Sequence, residues 1–506
     1  MEKIKMARLL RKINSCLAFF MLSVFASQCF AESSSASSTN TVKESRQYIE
    51  MMYGIFDYVQ KNYIDEVDPG VLYRGALKGM LESLNDPYTL YLDTSTMRSL
   101  SDTTEGKFGG VGLYISKMAE STPDKPAYVE VASPIEDTPG FRAGIQAGDV
   151  IISVNGTDTS EITMEEVLGM LRGKVGEEVN LVIRRGKNME FPVTLVRDFI
   201  EVPTVKYGMI TPPANKNAKY GYIRIIDFTP NTAERVQDAL NSFEKKISAL
   251  IIDLRNNGGG LITSAVDVAD KFIDNGSIVT TKSRIAYENS VFPASPRKTT
   301  FRGMPIIVLI NRGTASASEI VSGALKDNHL AYLVGQRSYG KGSVQNVVPL
   351  SATDGIKMTI ARYYTPSDMN IDKIGIPPDR EVLYPELGEE GEKEYGELIK
   401  NDDVSKYVES HPDMTEADIS AFAQTLNKKY THIDERMFRK LIRNQVNRTK
   451  PTPLYDLDYD IQLNAALDIL AKEDFATLVK NTKTLKELQE AAELQKSAEE
   501  KHSAKN

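Results

Sequence analysis

Cysteine and histidine are scarce in this sequence, and their scarcity limits the chemistry that the chain can carry out. Only two of the 506 residues are cysteines, Cys16 and Cys29, and only four are histidines. Both cysteines lie in an N-terminal segment with the features of an export signal, so the mature chain would contain none. This excludes a thiol nucleophile, a disulfide scaffold and a cysteine metal site. No two histidines are close in sequence, so neither a metal nor another cofactor is expected.

The N-terminal segment has the three parts of an export signal. A basic region ends at Lys12, an apolar run of 11 residues extends from Cys16 to Ala26, and Ala31 offers a small residue for cleavage before Glu32. The apolar run is shorter than the ~20 residues that span a bilayer. The sequence therefore predicts a signal peptide at residues 1–31 and a periplasmic or secreted protein, with an uncleaved anchor as the alternative.

The charge of the chain bears on its partners. The formal net charge is −8, and the first 31 residues contribute five basic and one acidic side chain, so the remainder stands at −12. An acidic chain does not favour nucleic acid or an anionic membrane as the main partner. The length of 506 residues suits two to four domains.

The first part of the mature chain is predicted to be a linker followed by helices. Residues 32–41 are polar and serine-rich, which is typical of a linker. Residues 42–100 are predicted to form a helical region, because apolar residues recur at steps of three and four. The predicted apolar faces contain Tyr48, Ile49, Met52, Ile55, Phe56, Val59 and Tyr63, and then Leu72, Ala76, Leu77, Met80, Leu81 and Leu84. We interpret this region as a packing cap or a dimer contact.

Residues 104–199 have the pattern of a separate β module. A glycine-rich turn, Gly106 to Gly112, leads into an alternating strand, and Ala143-Gly144 is followed by Gly148-Asp149-Val150-Ile151 and Val154-Asn155-Gly156. A short helix is predicted from Met164 to Leu171. With these motifs the module resembles a PDZ domain. The resemblance implies a groove in which an extended peptide adds a strand and its terminal carboxylate meets backbone N–H groups. The loop implied for that carboxylate is formed by Gly110, Val111, Gly112 and Leu113.

Residues 200–385 alternate between strands and helices, which predicts an α/β core. Strands are expected at Tyr222 to Ile226, Ala249 to Leu254, Ile306 to Ile310 and Leu330 to Gly335, and a helix is expected to open at Thr229-Pro230. Gly335 to Lys341 fits the first seven positions of a phosphate-binding loop. The eighth position is Gly342 where a magnesium-binding Ser or Thr is needed, and the residues after it indicate a strand rather than a helix. A nucleotide site is therefore rejected.

Acyl transfer is the chemistry that remains. A serine hydroxyl needs a base to take its proton, and the core contains only His329, which is predicted to lie in a surface turn. Lys341 lies between two glycines and can act as a base if burial lowers its pKa. Ser316 follows a buried strand and precedes a helix, where backbone amides favour negative charge. Because Lys341, Ser343 and Gln345 alternate in a strand, their side chains are expected to share a face.

The surroundings of Ser316 have a second interpretation, which is helix capping. Ser318 is predicted to be the capping residue, which leaves Ser316 free for chemistry. An oxyanion hole is expected to take one amide from Gly258-Gly259-Gly260 and one from the residue after Ser316.

These motifs together resemble the C-terminal processing (tail-specific) protease family from about Tyr48 to Tyr384. The matching segments are Asp253 to Asn257, Ser316 to Ile320, Gly340 to Gln345, Ala361 to Pro366 and Gly375 to Asp379. The resemblance implies an α/β protease core with a crotonase- or Clp-protease-like spiral and an inserted PDZ domain. It further implies that Ser316 is the nucleophile, Lys341 the general base and Gln345 its orienter, with the Gly259 and Ala317 amides in the oxyanion hole. Gly258 departs from the family, which often has proline there.

The function expected is therefore an exported serine endopeptidase that recognises polypeptides by their free C-termini. An adaptor protein or a homo-oligomer is compatible with the sequence. Residues 386–506 are charged and helical, and the stretch from Lys480 is expected to be a solvated tail unless it docks a partner. Two alternatives stay open, a noncatalytic PDZ scaffold on an inactive core and an α/β ligand-binding or acyl-thioester enzyme.

Overall fold

The computed structural model of the chain describes residues 38–503, with gaps at 95, 98–99, 101–106, 118–125, 136–137, 147, 187–188, 202, 352 and 448–452. The predicted signal peptide lies outside these residues, and so does most of the predicted linker. The chain divides into two compact units, one ending at Asn85 and the other beginning at Asp86. Within the described ranges, no helix is both long and apolar enough to cross a membrane.

The described part of the first unit contains two helices, α1 (Ser38–Asn62) and α2 (Pro69–Glu82). Helix α1 begins inside the segment for which a linker is predicted. Asp68 caps α2 by accepting a hydrogen bond from the Gly70 N–H at 2.8 Å. The predicted apolar faces are mostly exposed, for example at Ile49 and Ile55, whose exposed fractions are 61% and 62%. The two helices thus leave most of the apolar surface predicted for packing uncovered.

A β module occupies residues 107–201. Its main sheet is antiparallel in the order β3-β4-β5-β7-β8, with β6 beside β5, while β2 pairs with β9. The strands are β2 (Lys107–Gly110), β3 (Leu113–Lys117), β4 (Val129–Pro134), β5 (Val150–Val154), β6 (Thr157–Asp158), β7 (Glu178–Arg185), β8 (Met189–Val196) and β9 (Asp198–Glu201). The helices are α3 (Pro139–Arg142) and α4 (Met164–Leu171). Helix α4 confirms the helix predicted at these residues, and Thr163 and Glu166 form its capping box.

The core contains a six-stranded sheet in the order β10-β11-β12-β15-β16-β19. All pairs in it are parallel except β10 with β11. Its strands are β10 (Val205–Ile210), β11 (Tyr220–Ile225), β12 (Ala249–Asp253), β15 (Ile306–Ile310), β16 (Tyr332–Gly335) and β19 (Arg380–Glu381). The helices α5 (Thr232–Phe243), α6 (Ile262–Ala269) and α7 (Ala317–Asp327) alternate with them. The predicted α/β alternation is therefore confirmed. Every residue of β12 and β15 is buried, as expected for strands covered on both faces.

One helix start is corrected by the structure. Helix α5 begins at Thr232, with Asn231 at the cap position, and not at Thr229 as predicted. The backbone is still extended before it, because Phe228 forms a β-bridge with Gly260. The Thr229 N–H instead donates to Thr232 Oγ1 at 2.9 Å.

A second sheet of the core is antiparallel and contains β1-β18-β13-β14, with β17 beside β18. Its strands are β1 (Leu90–Leu92), β13 (Ser277–Lys282), β14 (Ser290–Pro293), β17 (Ser343–Pro349) and β18 (Gly355–Tyr364). Strand β17 confirms the strand predicted after Gly342, so the helix required by a phosphate-binding loop is absent at this place.

The C-terminal region is helical and packs onto the core. Its helices are α8 (Glu389–Asn401), α9 (Asp403–Ser410), α10 (Glu416–Lys429), α11 (Glu435–Val446), α12 (Ile461–Lys472), α13 (Phe475–Lys480) and α14 (Leu485–Ser503). Leu463 and Leu467 of α12 belong to one hydrophobic cluster with Ile251 and Ile307 of the parallel sheet. At the start of α14 the buried Leu485 donates its N–H to Asp327 Oδ1 at 2.8 Å. The prediction that the stretch from Lys480 is a solvated tail is therefore wrong at Leu485, which is buried.

Candidate active site

Ser316 lies at the N-cap position of α7, directly after the turn that follows the buried strand β15. Its backbone has φ 56° and ψ −118°, a conformation that is sparsely populated for a residue with a side chain. Such strained residues cluster at functional sites. The prediction that Ser318 caps this helix is wrong, because Ser318 is inside α7 and its hydroxyl donates to the Asn257 carbonyl at 3.0 Å. The half-buried Ser316 is thus held at a strand-to-helix junction.

Glu319 is a buried carboxylate that joins the backbones of Ser316 and Lys341. Its Oε2 accepts the Ser316 N–H and the Lys341 N–H, each at 2.9 Å. Its Oε1 accepts the Gly340 N–H at 2.8 Å and the Ser338 hydroxyl. Burial raises the pKa of this carboxyl, and the hydrogen bonds oppose that rise. No role was predicted for Glu319 from the sequence.

Tyr363 joins the same two segments through the backbone carbonyls of Ser316 and Lys341. Its ring is 1% exposed, and its hydroxyl lies within hydrogen-bond reach of the Ser316 carbonyl, at 3.2 Å, and of the Lys341 carbonyl. Glu319 therefore binds the N–H groups of the two residues, and Tyr363 contacts their carbonyls. This residue belongs to one of the motifs recognised in the sequence, but no role was predicted for it.

Lys341 is half-buried in the loop between β16 and β17. Burial lowers the pKa of its amine, and repulsion from Lys357 lowers it further, while the carboxylates of Glu319 and Asp86 oppose this shift. Its Nζ lies 4.8 Å from the centroid of the Tyr88 ring. Both side chains are described, yet no hydrogen bond joins Ser316 Oγ to Lys341 Nζ. Catalytic hydrogen bonds are often long without substrate and tighten when it binds.

Gln345 lies in β17, which begins at Ser343, so Lys341 precedes this strand and is not part of it as predicted. Its Nε2 donates to Ser343 Oγ at 2.9 Å and to Thr359 Oγ1 at 3.3 Å. The first contact confirms that Ser343 and Gln345 share a face. The register of β17 shifts between Val344 and Gln345, and no hydrogen bond joins Gln345 to Lys341 in the described structure. Its role as the orienter of the lysine stays a prediction.

The glycine loop after β12 approaches Ser316 closely. Gly259 has φ 115°, and a Cβ there would lie 2.7 Å from Ser316 Cβ and 3.0 Å from the Ala317 nitrogen. Only glycine allows this approach. The Gly259 N–H donates to Asn257 Oδ1 at 2.9 Å. The two amides predicted for an oxyanion hole are thus neighbours, and the one from Gly259 must exchange its partner to act there.

Asn257 fastens this loop to both sides of Ser316. Its carbonyl accepts the Ala315 N–H at 3.0 Å and the Ser318 hydroxyl at 3.0 Å. Its side-chain amide donates to the Ile225 carbonyl at 2.9 Å. A shift of this loop would therefore change the position of Ser316.

His329 is remote from Ser316. It is exposed, just beyond the C-terminal end of α7, and its Nδ1 lies 2.8 Å from Thr482 Oγ1. Since Ser316 caps the other end of this 11-residue helix, the two residues are separated by about 16 Å of helix. The prediction of a surface turn is confirmed. No group of three or more metal-binding side chains is arranged to hold a metal ion in the residues that the structure describes.

The loop predicted to bind a carboxylate leads into an edge strand. Strand β3 begins at Leu113 and, among the strands that the structure describes, pairs with β4 alone, so it ends the main sheet of the module. Gly112 has φ 73°, and a Cβ there would lie 2.2 Å from Thr138. The carbonyls of Val111 and Gly112 accept hydrogen bonds from Gly140 and Ile135. An edge strand with one unpaired side is what strand addition by a peptide requires.

Comparison with known proteins gives three family matches. Residues 219–382 match peptidase family S41, residues 130–185 match a PDZ domain, and residues 13–96 match the N-terminal domain of the activating protease CtpB. A carboxy-terminal-processing protease of Bartonella bacilliformis is 37% identical over 373 residues, which cover 72% of this chain and 82% of that protein. A carboxyl-terminal-processing protease of Synechocystis is 36% identical over 312 residues, 61% of this chain and 71% of that protein. The solved photosystem II D1 C-terminal processing protease shares 31% identity over 66% of this chain and 93% of its own, with a TM-score of 0.40.

Proposed function

Because this chain belongs to peptidase family S41, together with the carboxy-terminal processing proteases, we propose that it is an exported serine endopeptidase with a Ser/Lys site. The chain is a protease with a PDZ domain. The proposal adds that Ser316 is the nucleophile, that Lys341 is its base, and that substrates are bound by their free C-termini.

The assignment of Ser316 and Lys341 as the Ser/Lys site rests on one observation, which is that two buried side chains each contact the backbones of both residues. Glu319 accepts both of their N–H groups, and Tyr363 contacts both of their carbonyls. Positioning of this kind is what a reaction between fixed groups needs. The lowered pKa of Lys341, caused first by burial, increases the fraction of neutral amine that can accept a proton.

The reaction then proceeds by acyl transfer. The neutral Lys341 amine takes the hydroxyl proton while Ser316 Oγ attacks the carbonyl carbon of the scissile peptide. The amides of Ala317 and Gly259 stabilise the oxyanion that forms. The Lys341 ammonium gives its proton to the leaving amine as the C–N bond breaks, which leaves an acyl-enzyme. A water molecule, deprotonated by the same lysine, hydrolyses the ester and restores the serine.

The PDZ domain supplies the recognition of substrate C-termini in this proposal. A peptide would pair with the free side of β3, and its carboxylate would meet the loop of Gly110, Val111, Gly112 and Leu113. The support for this is the position of β3 at the edge of its sheet and the positive φ of Gly112, which brings the loop backbone close to Thr138.

A pair of substrates that differ only at the C-terminus tests the function. We expect the enzyme to cleave an unfolded polypeptide with an apolar C-terminal residue, and to cleave its C-terminal amide several-fold more slowly at low substrate concentration. The amide lacks the anion that the loop binds, while its cleavage site is unchanged. Initial rates measured on the two substrates give the comparison. Equal rates would contradict only the proposed recognition of the free C-terminus, whereas cleavage of neither substrate would contradict the proposed serine endopeptidase activity.

Export is proposed from the N-terminal sequence. A basic region, a short apolar run and Ala31 support removal of residues 1–31 and a periplasmic or secreted mature protein. We expect the intact mass of the protein purified from its native cell to correspond to a chain that begins at Glu32. A chain found only in the cytoplasm with residues 1–31 attached would contradict this proposal.

A homo-oligomer and an adaptor protein are the further partners predicted from the sequence. The exposed apolar faces of α1 and α2 are consistent with a homo-oligomer contact, but both the homo-oligomer and the adaptor protein stay predictions.

A further inference from the structure

Arg255 lies between two carboxylates that come from distant parts of the chain. Its Nε and Nη2 donate to the two oxygens of Asp253, at 2.9 and 2.6 Å. Its Nη1 and Nη2 donate to the two oxygens of Asp460, both at 2.7 Å. The Arg255 side chain is 11% exposed, and those of Asp253 and Asp460 are 1% and 15% exposed. Both contacts therefore use paired, charge-assisted hydrogen bonds in a place with little water.

Asp460 belongs to the C-terminal region, outside the segment that matches the peptidase family. It occupies the N-cap of α12 and accepts the Leu463 N–H at 2.9 Å. The Tyr384 hydroxyl donates to it at 3.1 Å. Helix α12 is anchored to the parallel sheet by its buried leucines. The Asp460 carboxylate is therefore held in place by contacts other than those with Arg255.

Arg255 in turn lies at the start of the loop that reaches Ser316. It precedes Asn257 by two residues, and Asn257 binds Ala315 and Ser318 on the two sides of Ser316. Gly259 follows and approaches Ser316 directly. Without the Asp460 carboxylate, Nη1 keeps only the Gln462 Oε1 contact at 3.2 Å and Nη2 keeps only Asp253. One N–H of each nitrogen is then left without an acceptor, and buried donors are costly to leave unpaired. The loop would then shift until those donors reach water or another acceptor.

We infer that Asp460 is a positioning residue of the active site, which acts through Arg255 to hold the loop Asn257–Gly260 against Ser316. The C-terminal region thereby contributes to the geometry of catalysis without contacting the substrate. This inference rests on the proposed function, because it assigns the loop to the oxyanion hole of Ser316.

The test replaces Asp460 with asparagine in the full chain. Asp460→Asn keeps the size of the side chain and an oxygen for the Leu463 N–H, but it removes the charge and one acceptor for Arg255. We expect kcat for an unfolded polypeptide substrate to fall on the order of tenfold, with KM changed less than about twofold. The reason is that a displaced oxyanion donor stabilises the transition state less but hardly affects substrate binding. Labelling of Ser316 by a fluorophosphonate should slow in parallel.

The matched control is Glu473→Gln. Glu473 ties the same C-terminal region to the core through Arg380 at 3.1 Å, but Arg380 lies on β19 and not on the loop. We expect the control to keep its kcat. In an Arg255→Gln background, Asp460→Asn should have little further effect, because the two residues act as one unit. Asp460→Ser, which keeps a capping oxygen, replaces Asp460→Asn if the latter does not fold.

The outcomes separate the inference from the function on which it rests. An unchanged kcat in Asp460→Asn, an equal loss in Glu473→Gln, or losses at Asp460 and Arg255 that multiply independently would each overturn the positioning role. Retention of cleavage by Ser316→Ala, measured on the same substrate, would instead overturn the proposed Ser/Lys function.

Discussion

Ser316→Ala is expected to lower the rate of substrate cleavage by at least about a thousandfold while the chain keeps its fold, since the proposed nucleophile is removed. Alanine would take the same positive φ that serine already has at this position. The rate is measured on an unfolded polypeptide with a free apolar C-terminus, and the fold is followed by thermal unfolding.

Ser322→Ala is the matched control for this change. Ser322 is a buried serine of the same helix, and its hydroxyl donates back to the Ser318 carbonyl at 2.9 Å. We expect its cleavage rate to stay within about twofold of that of the wild type, because this contact is a local helix bond. A Ser316→Ala protein that still turns over substrate at the normal rate would exclude Ser316 as the nucleophile.

Lys341→Met is expected to cause a loss of similar size. Methionine keeps an unbranched side chain at the site but cannot accept the serine proton. In the wild type the rate should rise with pH as the amine loses its proton, because only the neutral amine is a base. Since burial and then Lys357 lower the pKa of Lys341, this rise should occur below the pH at which an ordinary lysine titrates. Rates measured across a pH series give the position of the rise.

Lys357→Met provides the control for the electrostatic part of this prediction. It removes the positive charge that repels the Lys341 ammonium, so the pKa of Lys341 should increase and the rise in rate should move to higher pH. The maximal rate should change little. A profile that does not move, or a Lys341→Met protein with normal activity, would show that this lysine is not the base.

Features carried by neighbouring residues could be predicted from the sequence. The strand at Ile306 to Ile310 is found as predicted because five consecutive apolar residues fit a doubly covered strand. The helix at Met164 to Leu171 is likewise found, since its capping box lies next to its apolar positions. The phosphate loop could be rejected because a single residue, Gly342, decides whether magnesium can be held.

Features that depend on contacts across the chain could not be predicted in this way. Glu319 meets Lys341 across 22 residues, and Arg255 meets Asp460 across 205 residues. Helix α7 begins two residues before the position implied by the predicted Ser318 cap, because the Ser316 N–H is held by Glu319. Capping preferences describe an isolated helix, and here a buried carboxylate shared with another loop decides where the helix starts.

The late position of Asp460 in the chain has a consequence for the order in which the enzyme becomes active during synthesis. Asp460 follows Lys341 by 119 residues and Leu485 comes later still. At ~5–20 residues per second, roughly 6 to 24 seconds separate the appearance of Lys341 from that of Asp460. During that interval Arg255 has one carboxylate instead of two, and the sheet lacks the helix that covers it. A nascent chain that ends before Asp460 would therefore carry the proposed nucleophile and the proposed base without the second carboxylate that we infer to hold the loop at Ser316 in place.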